Sequence, residues 1–435
     1  MKKIFKNVIY FFCSSFNLFL LILISLFFKC FKSLRKKNKI IFGTTPILNN
    51  KYWANALKKG GFKAETLMQI YYANINKKED FDKYFDDIIP KFLRKKYINK
   101  VVHPLFVWLY IIRNAKIFIM TFHGVVFYKF FWKMEYLLFK LNDIKVIVLP
   151  YGSDAYMYSK IQDKSLQNAL LVSYPDAAKN EKFIERKVFF WSKYADCVVT
   201  GFMGIDGMPR WDIPIHQFVQ IDTDEWQQKT HYSMYDGNNG PVKIIHTPNH
   251  RGFKGTEFLI QAVESLKRKG LKVGLLLLEN VPNDKVQQLM READILAEQF
   301  ICNGYALSAI EGMATGLPVL SNLSNKNYTE MFRRYSFLNE CPILSTTPET
   351  IEENLELLIR NPKLRKELGV IGRKYVEKYH SYKTAQYLFA NIFKKLEGEK
   401  IDLVDLFHPL KSDYVKKNYI FTPLVNNKYI RKNDI

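Results

Sequence analysis

From Val242 to Asn322 short continuous apolar runs alternate with stretches in which apolar residues recur every three or four positions. VKIIHTP, LKVGLLLLEN, DILAEQF and PVLSN read as buried parallel strands, the DILAEQF run a short one. Phe258, Leu259, Ala262, Val263 and Leu266 share one helical face; Thr256 stands where it can cap that helix, and Gly270 ends it. A second helix is predicted around PNDKVQQLMREA. A third runs from NGYA through Glu311 and is closed by Gly316-Leu317-Pro318. The pattern predicts a strand–loop–helix series, and such sheets bind ligands beyond the carboxyl ends of their strands.

The same alternation runs through the first half. KIIFG, AETLM, AKIFIMTFHG, DIKVIVLPYGSDAY and VVTG read as strands, with helices such as KYWANALKKGG and EKFIERKVFFWSKYADC between them. The expected fold class is α/β: two Rossmann-like domains with parallel sheets facing a cleft, preceded by an apolar helix. Residues 1–38 form that helix and a basic linker, 39–234 the first domain and 242–395 the second, with turn-rich MYDGNNGP as the boundary. The tail 396–435 is basic and aromatic and packs on the first domain or on a membrane. The segment after Asn322 is helical almost throughout. Lys91 to Ile112 pairs a basic cluster with an apolar run that Pro104 is expected to break; it is either a membrane-surface stretch or helix over the sheet.

Val8 to Phe28 carries no charge. Its roughly 21 residues, at about 1.5 Å each, match a hydrocarbon core of about 30 Å. Lys2, Lys3 and Lys6 precede it; Lys29, Lys32, Arg35, Lys36, Lys37 and Lys39 follow. The heavier positive flank places the body of the protein on the cytoplasmic face of the cell membrane. Ser14, Ser15 and Asn17 leave three readings open: a spanning helix, one lying in the interface, or one packed on the protein.

Composition narrows the partners. The 435 residues carry a formal charge of +23, which calls for anionic ones. No nucleic-acid module is recognisable and the cations are spread, so an anionic membrane and a nucleotide fit better than nucleic acid. Five cysteines without metal spacing argue against a disulfide framework and against a structural metal.

Two loops carry the candidate chemistry. NHRGFKG sets Arg251 and Lys254 beside Gly252 and Gly255, which suits a diphosphate. The turn of Asn303, Gly304, Tyr305 and Ala306 opens a helix whose free amides and positive dipole end can hold a phosphate. Glu311 lies about 10 Å further along that helix, where a carboxylate can accept both hydrogens of a ribose diol. In the first domain Gly43, His123 and Asp154 stand at strand ends facing the expected cleft. Asp154 binds acceptor hydroxyls, acts as a polar orienter or caps the next helix, and His123 is either a ligand contact or a satisfied loop residue.

NGYALSAIEGMATGLPVL resembles the donor-site segment of family 4 glycosyltransferases, retaining enzymes of GT-B fold, and KGTEFLIQAVESL resembles their Lys-Gly loop and helix. The family segment has two glutamates eight positions apart. Glu311 matches the second, which the resemblance implies holds the nucleotide ribose. Asn303 falls on the first, implied to contact the donor sugar, and has no charge. The family's arginine lies further upstream of the lysine than Arg251 does. A histidine near the place of His123 is implied to contact the donor sugar, the loop after Gly43 to face the cleft, and a C-terminal helix to cross back to the first domain. The implied activity is metal-independent hexosyl transfer from a nucleotide-sugar, which is a substrate and not a cofactor. Retention implies front-face displacement. The membrane helix adds a lipid-linked or surface-polysaccharide acceptor, hence polysaccharide or lipopolysaccharide assembly. A nucleotide-sugar epimerase and a GT-B membrane subunit without turnover are the alternatives.

Overall fold

The computed structural model describes residues 2–424 apart from 73–75, 95, 128–129 and 203–204, with side chains left out at 2–7, 32 and 96–100. The basic flank Lys2, Lys3 and Lys6, the Lys95–Lys96 pair and the tail beyond Leu424 therefore fall outside the described side chains.

The first half runs α1 (Lys2–Cys30), β1 (Lys39–Thr44), α2 (Leu48–Lys59), β2 (Ala64–Met68), β3 (Lys83–Tyr84), α3 (Phe85–Ile88), α4 (Lys96–Asn114), β4 (Ala115–Met120), α5 (Met134–Leu141), β5 (Lys145–Val148), α6 (Lys164–Ser173), α7 (Pro175–Lys179), α8 (Glu181–Tyr194), β6 (Cys197–Thr200) and β7 (Ile213–Pro214). Among the described residues these seven strands form one parallel sheet, ordered β3-β2-β1-β4-β5-β6-β7. The central strands are mostly apolar because helices cover both faces, with polar residues such as Lys39, Glu65, Lys116 and Lys145 toward their ends or at the sheet's flank. Alternate residues serve opposite cores. Phe42, Ile119 and Ile147 pack with Trp53 and Phe389 on one side. Ile41, Phe118 and Val148 pack with Trp108, Phe139 and Trp191 on the other.

The second half runs β8 (Val242–His246), α9 (Arg251–Lys254), α10 (Thr256–Arg268), β9 (Val273–Leu277), α11 (Asn283–Glu292), β10 (Ile295–Asn303), α12 (Leu307–Thr315), β11 (Val319–Asn322), α13 (Lys326–Tyr335), β12 (Leu344–Ser345), α14 (Ile351–Arg360), α15 (Pro362–Tyr379), α16 (Tyr382–Leu396) and α17 (Asp413–Lys416). Its described strands form a second parallel sheet, β12-β11-β10-β8-β9.

Four local expectations are corrected. Pro104 lies inside α4, which continues through it. Fully buried Val107, Trp108 and Ile111 hold the helix there, and the one backbone hydrogen bond that proline removes does not end it. The NHRGFKG loop contains the helical turn α9. The N-cap of α10 is Gly255, at φ 76°, and the Thr256 hydroxyl meets His246 Nε2 at 2.8 Å instead. Strand β10 extends past DILAEQF to Asn303.

The domains are tied by α16, which returns to α2: Gln386 Nε2 donates to the Ala56 carbonyl at 2.8 Å, and Phe389 lies 6.0 Å from Trp53. In the tail, Glu397 pairs with Lys116 of the first domain at 2.6 Å. Beyond it the chain packs on the second domain: Lys378 Nζ of α15 donates to the Val415 carbonyl at 2.8 Å, and the Ile420 amide donates to Glu340, in the turn before β12, at 2.9 Å. Helix α1 packs along α4 and α5 and contains a stretch, Val8–Cys30, long and apolar enough to cross a membrane.

Candidate functional site

The first domain holds a cavity of about 770 Å³ beyond the carboxyl ends of β1, β2, β4 and β5. Thr44 and Thr45 reach it from β1, Gln69 from β2, His123 from β4 and Tyr151 from β5, while Tyr10 of α1 and His103 of α4 close its outer side. Gly43 itself stays in the sheet against Phe118, and the two threonines after it reach the cavity. The loop behind His123 winds around a buried carboxylate. Glu135 accepts the amides of Val125, Val126 and Phe127 at 2.8, 2.7 and 2.8 Å. Gly124 is required there: its φ is +84°, and a Cβ would lie 2.6 Å from Glu135 Oε2. Lys187 donates to the His123 carbonyl at 2.6 Å. Burial, and then the Lys187 charge, push the His123 imidazole down to about 4, so it is neutral at pH 7. Asp154 is buried and accepts the amides of Phe122, Tyr151 and Gly152, each at 3.0 Å. It fastens the β4 and β5 loops to each other, a role that needs it turned inward.

In the second domain Lys254 is buried. Its Nζ lies 2.5 Å from Glu298 Oε1 and 2.8 Å from Gln299 Oε1. Glu298 also accepts the hydroxyls of Ser308, on α12, and Ser321, at 3.1 and 2.9 Å. Glu311 follows Ser308 by three residues, which puts it on the same face of α12, about 4.5 Å further along the axis. Glu298 links Lys254 to Ser308 of α12, and Glu311 lies one turn further along that helix with no hydrogen bond to the group. Arg251 is set apart from them, paired with Glu257 at 2.7 Å and Glu279 at 3.0 Å on the surface.

The turn opening α12 differs from a free phosphate cradle. The Gly304 amide donates to the Asn322 carbonyl at 2.7 Å. Tyr305 is fully buried and its hydroxyl meets Tyr375 at 2.8 Å and His380 at 3.0 Å. Both are committed to the interior; Ala306 is the N-cap of α12, with no side-chain bond. Asn303 donates to Asp163 at 2.8 Å, and Asn325 donates to the same oxygen at 3.0 Å. Asp163 is the N-cap of α6, which packs on α9 and β10. A first-domain helix therefore covers the loops of the second. Nearby, His216 stacks between Phe202 and Tyr305 at 5.3 and 4.9 Å. Neither of its ring nitrogens has a hydrogen-bond partner among the described residues, and burial pushes it down to about 3.

Glu311 sits at the domain interface. The Tyr52 hydroxyl of α2 is pushed well up, first by burial and then by the Glu311 charge. Glu311 Oε1 is buried without a hydrogen-bond partner, and burial pushes its carboxyl up to about 8. A buried, unsatisfied acceptor is a costly group to retain, and a ligand hydroxyl would satisfy it.

Glu298, Gln299, Asp163 and the cavity threonines escaped the sequence reading. The one available signal was the Glu-Gln pair in an otherwise apolar strand.

Residues 261–375 match the family model described as glycosyl transferases group 1. Among solved structures the chain is similar to sucrose-phosphate synthase from Thermosynechococcus elongatus, at TM-score 0.50 and 12% identity over 83% of this chain and 99% of that one. It also matches a glycosyltransferase from Rickettsia africae ESF-5, at TM-score 0.49 and 13% identity over 84% of this chain and 100% of that one. WaaG, a glycosyltransferase involved in lipopolysaccharide biosynthesis, matches at TM-score 0.45 and 13% identity over 80% of this chain and 98% of that one. At these identities the likeness is one of fold. The chain is an α/β protein with GT-B neighbours that carries a glycosyltransferase group 1 domain, and that domain supports a role in glycosyl transfer.

Proposed function

We propose that the chain is a retaining, metal-independent glycosyltransferase that moves a hexose from a nucleotide-sugar to a lipid-linked saccharide at the cytoplasmic face of the cell membrane. The observation that carries this reading is Glu311: a buried carboxyl with an orphaned oxygen, at the interface of two α/β domains, within the group 1 domain. It is suited to a ribose diol, and Lys254, once released from Glu298, is the cation assigned to the diphosphate. The acceptor binds in the first-domain cavity. In the transfer step the bond from the anomeric carbon to the leaving phosphate breaks, a bond to the acceptor oxygen forms on the same face, and the acceptor proton passes to the leaving phosphate. Stabilising charge that develops on that phosphate is where rate is gained, and one such donor is typically worth about 2.7–4 kcal/mol. The donor enters when α6 moves off the second domain.

The test is transfer of labelled sugar from a panel of nucleotide-sugars into a membrane lipid extract, with NMR of the product anomer. Glu311→Ala is expected to lower kcat/KM for transfer about tenfold to a hundredfold, in line with loss of a buried hydrogen-bonded contact to the donor ribose. Full transfer by that variant, or an inverted anomer, rejects the reading. One observation favours a second reading, a membrane subunit without turnover: Lys254 is engaged by Glu298, and Asn303 by Asp163. Calorimetry with nucleoside diphosphates separates the two, since the subunit would show no heat of binding.

A further inference from the structure

Helix α1 has two unlike faces. Phe12, Phe16, Phe19, Leu23 and Phe27 follow one another at intervals of four, three, four and four, a single helical stripe. All five are exposed, from 48% at Leu23 to 66% at Phe12. The stripe runs about 22 Å at about 1.5 Å per residue. On the opposite face Ser14, Asn17, Leu18, Leu21 and Ser25 are buried. That face is fastened to the first domain: Asn17 donates to the Val101 carbonyl at 2.6 Å, and Asn142 to the Ser25 hydroxyl at 2.8 Å. Just past the helix, Arg35 donates to the Asn142 and Phe28 carbonyls at 3.1 and 3.0 Å. A helix that crosses a bilayer presents its circumference to lipid or to other membrane-embedded segments. Here one whole side of the midsection rests on a globular domain, while a bulky stripe of that length stays uncovered. Exposed Lys29 and Lys36 follow the stripe, where anionic headgroups would meet them. On the inner side, Tyr10 walls the cavity. The described residues lining that cavity include no lysine or arginine; hydroxyls, Gln69, the neutral His123 and the Asp86–His103 pair supply its polar groups. Such a lining suits uncharged sugar rings over a phosphate.

We propose that α1 lies in the plane of one membrane leaflet, and that the cavity it walls takes the uncharged sugar end of an amphiphile whose apolar end remains in that leaflet. The second half rests on reading the cavity as the acceptor site; the first half does not. For the first, the full chain with Cys13→Ser and Cys30→Ser is bound to vesicles with its body outside, and Lys2→Cys or Lys36→Cys is added. A membrane-impermeant maleimide is expected to label both positions from outside. Protection of position 2 until the vesicles are lysed overturns the in-plane helix. For the second, hydrogen exchange of residues 121–127 is compared with dodecyl maltoside and with maltose. The detergent, at about ten times its Kd, is expected to slow exchange about tenfold, and maltose at the same concentration not to. Gln69→Trp, at the exposed rim, is expected to abolish the effect. Equal protection by maltose removes the leaflet-held end, and protection that survives Gln69→Trp removes the cavity assignment. Neither arm contains a sugar donor, so failure of the transferase reading is scored separately.

Discussion

At Glu311 desolvation governs the behaviour of the site. The carboxyl is held at about 8 in the folded chain against an ordinary 4.5. The folded state therefore keeps its proton after the unfolded chain has released it. Stability from this group is complete below pH 4.5, falls as pH rises from 4.5 toward 8, and is lost above that. At about 1.4 kcal/mol per pH unit the loss is about 3–5 kcal/mol. Glu311→Gln removes the dependence, so the gap in urea midpoint between variant and wild type is expected to widen in favour of the variant from pH 5 to pH 8; a constant gap refutes it. At Lys254 the liability is the neighbour. Lys254→Ala leaves Glu298 buried without its cation, which typically costs about 3–5 kcal/mol. Lys254→Ala/Glu298→Gln is expected to recover most of that loss in a double-mutant cycle while leaving transfer abolished. Recovery of transfer together with stability would mean that Lys254 serves only the fold.

Among the elements, α6 bridges the two domains. Its N-cap, Asp163, holds Asn303 and Asn325 across the domain interface while its other oxygen accepts the Leu166 amide at 3.0 Å. Against burial, which alone would raise it, the Leu166 cap amide and then the amides of Asn303 and Asn325 hold the carboxylate below its ordinary value. Asp163→Ser keeps a good cap but is too short to reach both amides. With two charge-assisted bonds of about 1.5–3 kcal/mol gone, exchange of the α12 amides is expected to accelerate at least tenfold. Unchanged exchange would show that packing alone holds α6 down. This contact also marks where the sequence stops being informative. The strands were legible because burial on both faces makes them continuously apolar, and Glu311 because its helix and loop carry a local spacing. Asp163 and Asn303 are 140 positions apart. No local periodicity relates them, nor does one relate Lys254 to Glu298. Pro104 misled for the converse reason: the local rule was sound, but packing of α4 on the sheet outweighed it.

On the scale of the whole molecule, α1 is built into the first domain. Of the readings the uncharged run leaves open, its inner face shows packing on the protein: Leu18 and Leu21 belong to the core cluster of Val107, Trp108 and Ile111. Each buried leucine is worth about 1.5–3 kcal/mol, and total stability is only about 5–15 kcal/mol. A chain beginning at residue 39 loses both leucines, leaves the Asn142 amide without Ser25, and bares Trp108. The second domain keeps its sheet and its own core of Val242, Leu259 and Leu355. Calorimetry of the 39–435 chain is therefore expected to show two transitions: an early one from the first domain, and one near the wild-type temperature that nucleoside diphosphate raises. Detergent is expected to restore little of the early transition, because what is missing is a shaped wall with hydrogen-bond partners as well as apolar surface. A single transition at the wild-type temperature would show that α1 is a dispensable tether. A single early transition would show that α16 and the Asp163 contact couple the two domains into one cooperative unit.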